Sequence, residues 1–413
     1  MSNIVKIGMI GLGARTETLL ATMFELQDEV EITAICDFLD ARIEKIHSIF
    51  DKHNCKRPKA YKDYRELIKD PNVDAVLVPT SWNSHLKIAK DAMAAGKYAG
   101  IEVGGASSLD ELWQLVHASE ETGVSCMMLE NCCYGRNELM VLNMARKGML
   151  GELVYCECGY EHDLTEMTYN HTRNEREMHN RFRNCDLYPT HGLGPIAKIL
   201  RINRGNRFIS LTSHATKGVG FDTVAKEHGV DKHYNIGDVI TTVIKCANGE
   251  NIVLTHGISL PRPYSRDCRV QGTKGIWLED AKSLYIHGIS PCYEKLDIAG
   301  NPYTCHDWEP EEKFYEEYDH PIWKEFRDNQ IGGHGGMDAL ALLAFFDAVR
   351  NRTVTPIDVY DVAAWMAVTT LSEQSIALGS QPVAFPDFTD GKWIDREPVF
   401  RNKWCLDEVC EER

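Results

Sequence analysis

No stretch of this 413-residue sequence approaches the roughly 20 consecutive apolar residues that a bilayer-crossing helix needs. Its first residues, MSNIVKIGMIGLGARTET, pass from a short polar lead into a strand-like run, without the cationic stretch, sustained apolar core and cleavage site of an export signal. A cytoplasmic chain with no membrane partner is expected. Positive charge is scarce as well: 45 Lys and Arg stand against 61 Asp and Glu, for a formal charge of -16. Affinity for a phosphate backbone comes from Lys and Arg, so no nucleic-acid partner is expected. Nor do the 14 cysteines imply disulfides, because a long chain without a secretion signal belongs to a compartment that keeps thiols reduced. Adjacent Cys132 and Cys133, and alternating Cys156 and Cys158, lack the two CxxC halves of a structural zinc site, and no metal is expected. Internal repeats, low-complexity tracts and long linkers are missing too.

What is present points to an enzyme of two domains, since this length with 43% hydrophobic residues exceeds what one core serves. Apolar runs at Ile4 to Ile10, Ile32 to Cys36, Val73 to Val78, Tyr98 to Glu102 and Cys126 to Glu130 alternate with helical stretches such as Glu17 to Glu25, His85 to Ala95 and Leu109 to Glu121. That alternation predicts an α/β fold, an N-terminal Rossmann domain with a doubly wound parallel sheet over residues 1–129. Longer alternating stretches then follow at Glu152 to Glu161, Phe208 to His214, Val239 to Ile244, Ile252 to His256 and Asp267 to Gln271, and apolar helices at Gly194 to Leu200, Met337 to Val349 and Val359 to Ala377. Residues 130–413 therefore read as an α+β domain with a predominantly antiparallel open sheet. The segment Leu164 to Asp186, rich in His, Asn and Arg with weak periodicity, is expected as a loop over a polar site.

The first strand ends in Gly11-Leu12-Gly13, and glycines there let a pyrophosphate approach the free amides of the next helix. Thr16 replaces the usual third glycine, so the turn gains its meaning from Asp37, 21 residues further on at the end of the second strand. A carboxylate at that point accepts hydrogen bonds from the adenosine ribose and repels the extra phosphate of NADP, so NAD is the expected cofactor. Arg15 and Arg42 are the cations that weigh the other way.

With GLG, Asp37, Thr80 to His85 (TSWNSH) and Glu102 in view, the first half resembles the Gfo/Idh/MocA family of sugar and polyol oxidoreductases. That family normally carries Glu-Lys-Pro at the sheet edge, with the lysine near the reacting hydroxyl, whereas here the stretch is Glu102-Val103-Gly104. In the second half Glu130 to Tyr134 (ENCCY), Leu187 to Pro195 (LYPTHGLGP), Asn203 to Gly205, Pro261 to Arg266 (PRPYSR), Gly272 to Gly275 (GTKG) and Gly332 to Asp338 (GGHGGMD) resemble glycoside hydrolase family 109. The resemblance implies an NAD-dependent α-N-acetylgalactosaminidase-like activity on a small-molecule glycoside, in a homo-oligomer. It implies cofactor contacts from Gly11, Leu12, Gly13, Ala14, Arg15, Asp37, Thr80, Trp82, Asn83, His85, Glu102, Val103 and Asn131.

The implied chemistry is redox-neutral: oxidation of the sugar at C3, loss of the C2 proton, elimination of the aglycone, water addition and re-reduction. No pair of flanking carboxylates is needed. His191 and Tyr160 match the catalytic positions, His191 as a neutral imidazole able to take a hydroxyl proton and Tyr160 as base or acid at C2 or the leaving oxygen. Glu130, Tyr188, Tyr264, Arg176 and His162 match substrate positions, the last two across a Leu164 to Asp186 segment shorter than the family's. A conventional NAD-dependent sugar or polyol dehydrogenase, and an NAD-binding regulator without catalysis, are the competing readings.

Overall fold

The computed structural model describes residues 4–104, 106–170, 174–290, 295–296, 299–300, 302–303, 307–398 and 402–410. A parallel sheet of six strands is built from β1 (Val5–Ile10), β2 (Val30–Cys36), β3 (Lys59–Tyr61), β4 (Ala75–Val78), β5 (Tyr98–Ile101) and β6 (Cys126–Met128), in the order β3-β2-β1-β4-β5-β6. Strand order reverses between β1 and β4, and a crevice opens there beyond the carboxyl ends of the strands. Both faces are covered by α1 (Ala14–Phe24), α2 (Asp40–Lys52), the single turn α3 (Tyr64–Leu67), α4 (Trp82–Ala94) and α5 (Leu109–Thr122). Coverage on both faces is why the strands read as continuous apolar runs: every residue of β4, β5 and β6 is buried.

A second sheet of nine strands follows, in the order β16-β13-β12-β11-β7-β10-β9-β8-β17. Its members are β7 (Leu153–Glu161), β8 (Phe208–Ala215), β9 (Ile240–Cys246), β10 (Asn251–Gly257), β11 (Arg269–Gly272), β12 (Gly275–Leu278), β13 (Ser283–Ile286), β16 (Glu309–Pro310) and β17 (Val383–Ala384); β14 (Lys295–Leu296) and β15 (Pro302–Tyr303) pair separately. All its pairings are antiparallel except β7 with β10, which run parallel at its centre. Period-two alternation reports which face a residue takes and not which way its neighbour runs, so that pairing was invisible to pattern.

The helices of the second half are α6 (Arg136–Arg146), α7 (Asn174–Phe182), α8 (Thr190–Ile199), α9 (Gly220–Glu227), the short α10 (Tyr315–Tyr318) and α11 (Pro321–Phe326), α12 (Met337–Asn351) and α13 (Val359–Ala377). The last two tie the sheets together. Phe345 of α12 lies against Gly100 of β5, and α13 packs between α5 and β8. A capping box of Asp358 and Asp361 starts α13, and the helix is buried along nearly its whole length.

Two expectations change. The segment Leu164 to Asp186 is not a plain loop, because Thr165–Thr168 is a 3-10 turn and α7 is a nine-residue helix. The helix expected from Gly194 begins at Thr190, so His191 lies in its first turn. The described cysteines other than Cys410 are free thiols, and all of these but Cys55 are buried. Among the described residues no helix is long and apolar enough to cross a membrane.

Candidate active site

A cleft of about 1430 Å³ runs from the β1–α1 turn to the end of β7 at the centre of the nine-stranded sheet. At its first end Gly11 has φ +92°, and a Cβ there would lie 2.6 Å from the Thr80 methyl and 3.0 Å from Thr80 Cα. Only glycine suits that turn. A Cβ on Gly13 would meet nothing within 4 Å, so the backbone stands open to a ligand at the start of α1, whose N-cap is Gly13 with no side-chain cap. Free amides and the positive end of the helix dipole there fit a pyrophosphate. Asp37 accepts hydrogen bonds from the Leu12 and Leu39 amides at 3.0 and 2.9 Å, and Arg42 reaches the same carboxylate at 3.3 Å. Leu12 thus spends its amide on Asp37 and buries its side chain.

Arg15 is committed inside the protein. Its Nε donates to Glu102 at 2.8 Å, and its two terminal nitrogens make a fork to Asp338 at 2.9 and 3.0 Å. Burial alone would lower its pKa, but these two carboxylates raise it above the ordinary value. Asn131 donates to the same Asp338 at 2.8 Å, and His334 Nδ1 lies 2.9 Å from it. Two sequence-distant segments, at Arg15 and Asn131, therefore converge with the near neighbour His334 on one buried carboxylate.

His85, Trp82 and Asn83 do not line this cleft. His85 is buried, with its pKa pushed down to about 4 by burial, and its Nε2 meets the Thr80 carbonyl at 2.8 Å, bracing the segment that abuts Gly11. Trp82 packs its ring where a Cβ of Gly104 would be, 2.3 Å away. Proline cannot stand at Gly104 against that ring, which accounts for half of the departure from Glu-Lys-Pro. Val103 lines the cleft at the lysine position and offers no proton acceptor.

At the other end β7 carries Tyr160, and α8 lies directly across β7 because Gly192 meets Gly159 backbone; a Cβ on Gly192 would sit 2.7 Å from the Gly159 nitrogen. That close approach sets His191 beside Tyr160, ring centroids 5.8 Å apart. Tyr188 packs on Tyr160 at 4.3 Å and Tyr264 at 5.9 Å, and His162 stands edge-on to Tyr264 at 5.4 Å. The Arg176 guanidinium lies 4.8 Å above Tyr188 and 5.2 Å above Trp82, within reach of the Tyr188 and Tyr160 hydroxyls. It arrives on α7, the helix that weak periodicity concealed.

Glu130 stays out of the lining and sits fully buried behind His191, its Oε1 2.7 Å from Nδ1. Burial pulls the imidazole's pKa down, but Glu130 and the neighbouring Cys132 more than offset this and hold it well above 6.5. Glu130 itself is held below the usual carboxylate value, against its burial, by the His191 partner. The sequence favoured a neutral imidazole; this geometry favours imidazolium paired with the Glu130 carboxylate. Cys132 and Asp338 line or brace the site without having been singled out from sequence, although both lie in quoted motifs, ENCCY and GGHGGMD.

Fold and site together define a Rossmann dinucleotide-type domain joined to a second domain, with the cleft lined from both. Residues 5–130 match the model of the oxidoreductase family with NAD-binding Rossmann fold, and residues 134–395 match the glycosyl hydrolase 109 C-terminal domain. The chain belongs to glycoside hydrolase family 109. It is 39% identical to an alpha-N-acetylgalactosaminidase of Tannerella forsythia, over 96% of this chain and 88% of that one, and 37% identical to a family 109 protein of Parabacteroides distasonis, over 96% and 89%. Among solved structures an inositol dehydrogenase homologue from Azotobacter vinelandii, complexed with NAD+, superposes with TM-score 0.67 at 16% identity, over 93% of this chain and 98% of that one. An NAD binding oxidoreductase from Klebsiella pneumoniae gives 0.67 at 18%, over 93% and 99%; at these identities the likeness is one of fold.

Proposed function

We propose that this protein is an NAD-dependent, redox-neutral glycoside hydrolase that cleaves hexosides of the N-acetylgalactosaminide kind. The observation that carries the reading is one continuous cleft, with an open Gly13 turn and Asp37 at one end and the Glu130–His191 pair facing Tyr160 at the other. The substrate class is supported by the name of the Tannerella forsythia relative. Gly13 and the start of α1 would hold the pyrophosphate of NAD, and Asp37 its adenosine ribose. Arg15 is bound to Glu102 and Asp338, and Arg42 already neutralises part of Asp37, so neither stands free to receive an extra phosphate.

Bound NAD supplies reversible oxidation of a ring carbon, C3, which makes the adjacent C2 proton acidic. In its neutral form, with Nδ1 held by Glu130, His191 receives the C3 hydroxyl proton on its other nitrogen. Tyr160 takes the C2 proton or hands one to the leaving oxygen, and the Arg176 cation stabilises its phenolate. The aglycone departs from C1 by elimination and water adds to the unsaturated ketone. His191 does the work for which Val103 has no side chain.

A panel of chromogenic hexosides with catalytic NAD tests this. Aglycone release that requires NAD without net NADH, and deuterium at C2 of sugar released in heavy water, are expected. A primary isotope effect with substrate deuterated at C2 or C3 covers the case in which Tyr160 returns its proton unexchanged. Stoichiometric NADH from free sugar with no glycoside cleavage would overturn the reading in favour of a dehydrogenase.

A further inference from the structure

The nitrogen of His191, a carboxylate oxygen of Glu130 and the sulfur of Cys132 lie within 4.8 Å of one another. Cys132 and His191 line the cleft, while Glu130 is fully buried behind them. Zinc bonded to N and O at about 2.0–2.2 Å and S at about 2.3 Å keeps such atoms about 3.4–3.6 Å apart in a tetrahedron. The cluster matches that spacing after a contraction of roughly one ångström on its long side and a widening of the 2.7 Å His191–Glu130 contact. One thiolate, one imidazole and one carboxylate form a borderline-soft donor set that suits zinc and not magnesium or calcium.

A second observation points the same way. Glu130 Oε2 is buried without a well-formed hydrogen bond, the Thr190 hydroxyl lying near the carboxylate, while Oε1 accepts from His191 and from the Cys132 amide. A buried, half-satisfied carboxylate beside a thiol and an imidazole is a ready acceptor for a cation. Arg266, the cation whose charge Cys132 also feels, is already paired with Glu138 and Glu279. Adjacent Cys133 does not line the cleft, so the set has three protein ligands and a fourth position facing solvent or substrate.

We propose that Glu130, Cys132 and His191 form a binding site for a thiophilic divalent cation, zinc above all, and that the ion shuts the active site by occupying the imidazole that would act on the sugar. This reverses the sequence reading, which searched for paired cysteines and set Cys132 aside. Metal capture does not depend on which reaction the cleft performs.

Cobalt(II) serves as the spectroscopic probe. Titration of the full-length protein should show a single equivalent bound with a thiolate-to-metal charge-transfer band in the near ultraviolet and visible bands of a four-coordinate ion, and zinc should displace it. Cys132→Ser should lose the charge-transfer band. His191→Ala keeps the thiol and should weaken cobalt binding about tenfold or more. A wild-type protein without the band, a band that survives in Cys132→Ser, or unchanged affinity in His191→Ala each overturns the proposal. Zinc inhibition reversed by a chelator is the functional counterpart, and a protein without glycosidase activity would still give the cobalt result.

Discussion

At the scale of single residues, the argument turns on a proton. His191 lies 2.7 Å from a buried carboxylate, and the pairing raises its pKa, so at neutral pH the ring is occupied before substrate arrives. If His191 must be neutral to receive a hydroxyl proton, kcat/KM rises with pH through a pKa above 6.5. Glu130→Gln removes the anion that favours imidazolium, so the acidic limb of the pH profile should move to lower pH; a limb that stays put would detach it from this pair. His191→Ala should cost roughly a hundredfold to ten-thousandfold in rate while NAD binding, read by calorimetry, is retained. Sequence made His191 and Tyr160 visible because residue type and motif name them directly. Cys132 was passed over because its partners lie two residues before it and 59 residues after it in the chain, a neighbourhood only the fold assembles.

At the scale of elements, the β1–α1 end of the cleft depends on a backbone shape and the His191 end on the close approach of Gly192 to Gly159. Of the strands before residue 130, β1, β2, β4, β5 and β6 were readable because each is a compact apolar run, whereas β3, Lys59–Tyr61, is three residues long with its first two exposed and was not. By contrast α7, with sequence NEREMHNRF, carries a single apolar pair and is held as a helix by tertiary contacts, including Glu177 with Lys232 and Tyr234. It was missed for that reason, yet it delivers Arg176. At the β1–α1 turn, Gly11→Ala places a Cβ against Thr80 in a left-handed conformation, which costs an L-residue about 1–2 kcal/mol before any clash is counted. Because Thr80 is braced by His85, the clash cannot relax freely. We expect the variant to lose thermal stability and to bind NAD at least tenfold more weakly by calorimetry; full affinity would show that the turn does not carry the pyrophosphate.

At the scale of the whole molecule, Asp338 joins what sequence separates. It stands in the first turn of α12 and holds Arg15 at the start of α1, more than three hundred residues earlier, along with Asn131 and His334. Arg15 in turn holds Glu102 beyond β5, so one buried carboxylate locks the β1–α1 turn to α12. Burial would raise the Asp338 pKa, but His334 and Arg15 hold it far below the ordinary value. A carboxylate depressed in the folded state stabilises the protein above its unfolded pKa of about 3.9 and surrenders that contribution as pH falls through the folded value. Asp338→Asn should therefore be least stable relative to wild type at neutral pH, with the gap closing in strong acid. Removing one partner of a buried pair costs about 3–5 kcal/mol; Arg15 keeps 26% of its side chain exposed and retains Glu102, so about 2 kcal/mol is expected. The same variant should show a smaller rise in melting temperature on adding NAD, because a loosened Arg15 leaves the α1 turn less ordered for the cofactor. Urea denaturation at pH 7 and pH 3, and melts with and without NAD, measure both effects. A loss of stability equal at the two pH values would mean that Asp338 acts through packing and not through charge.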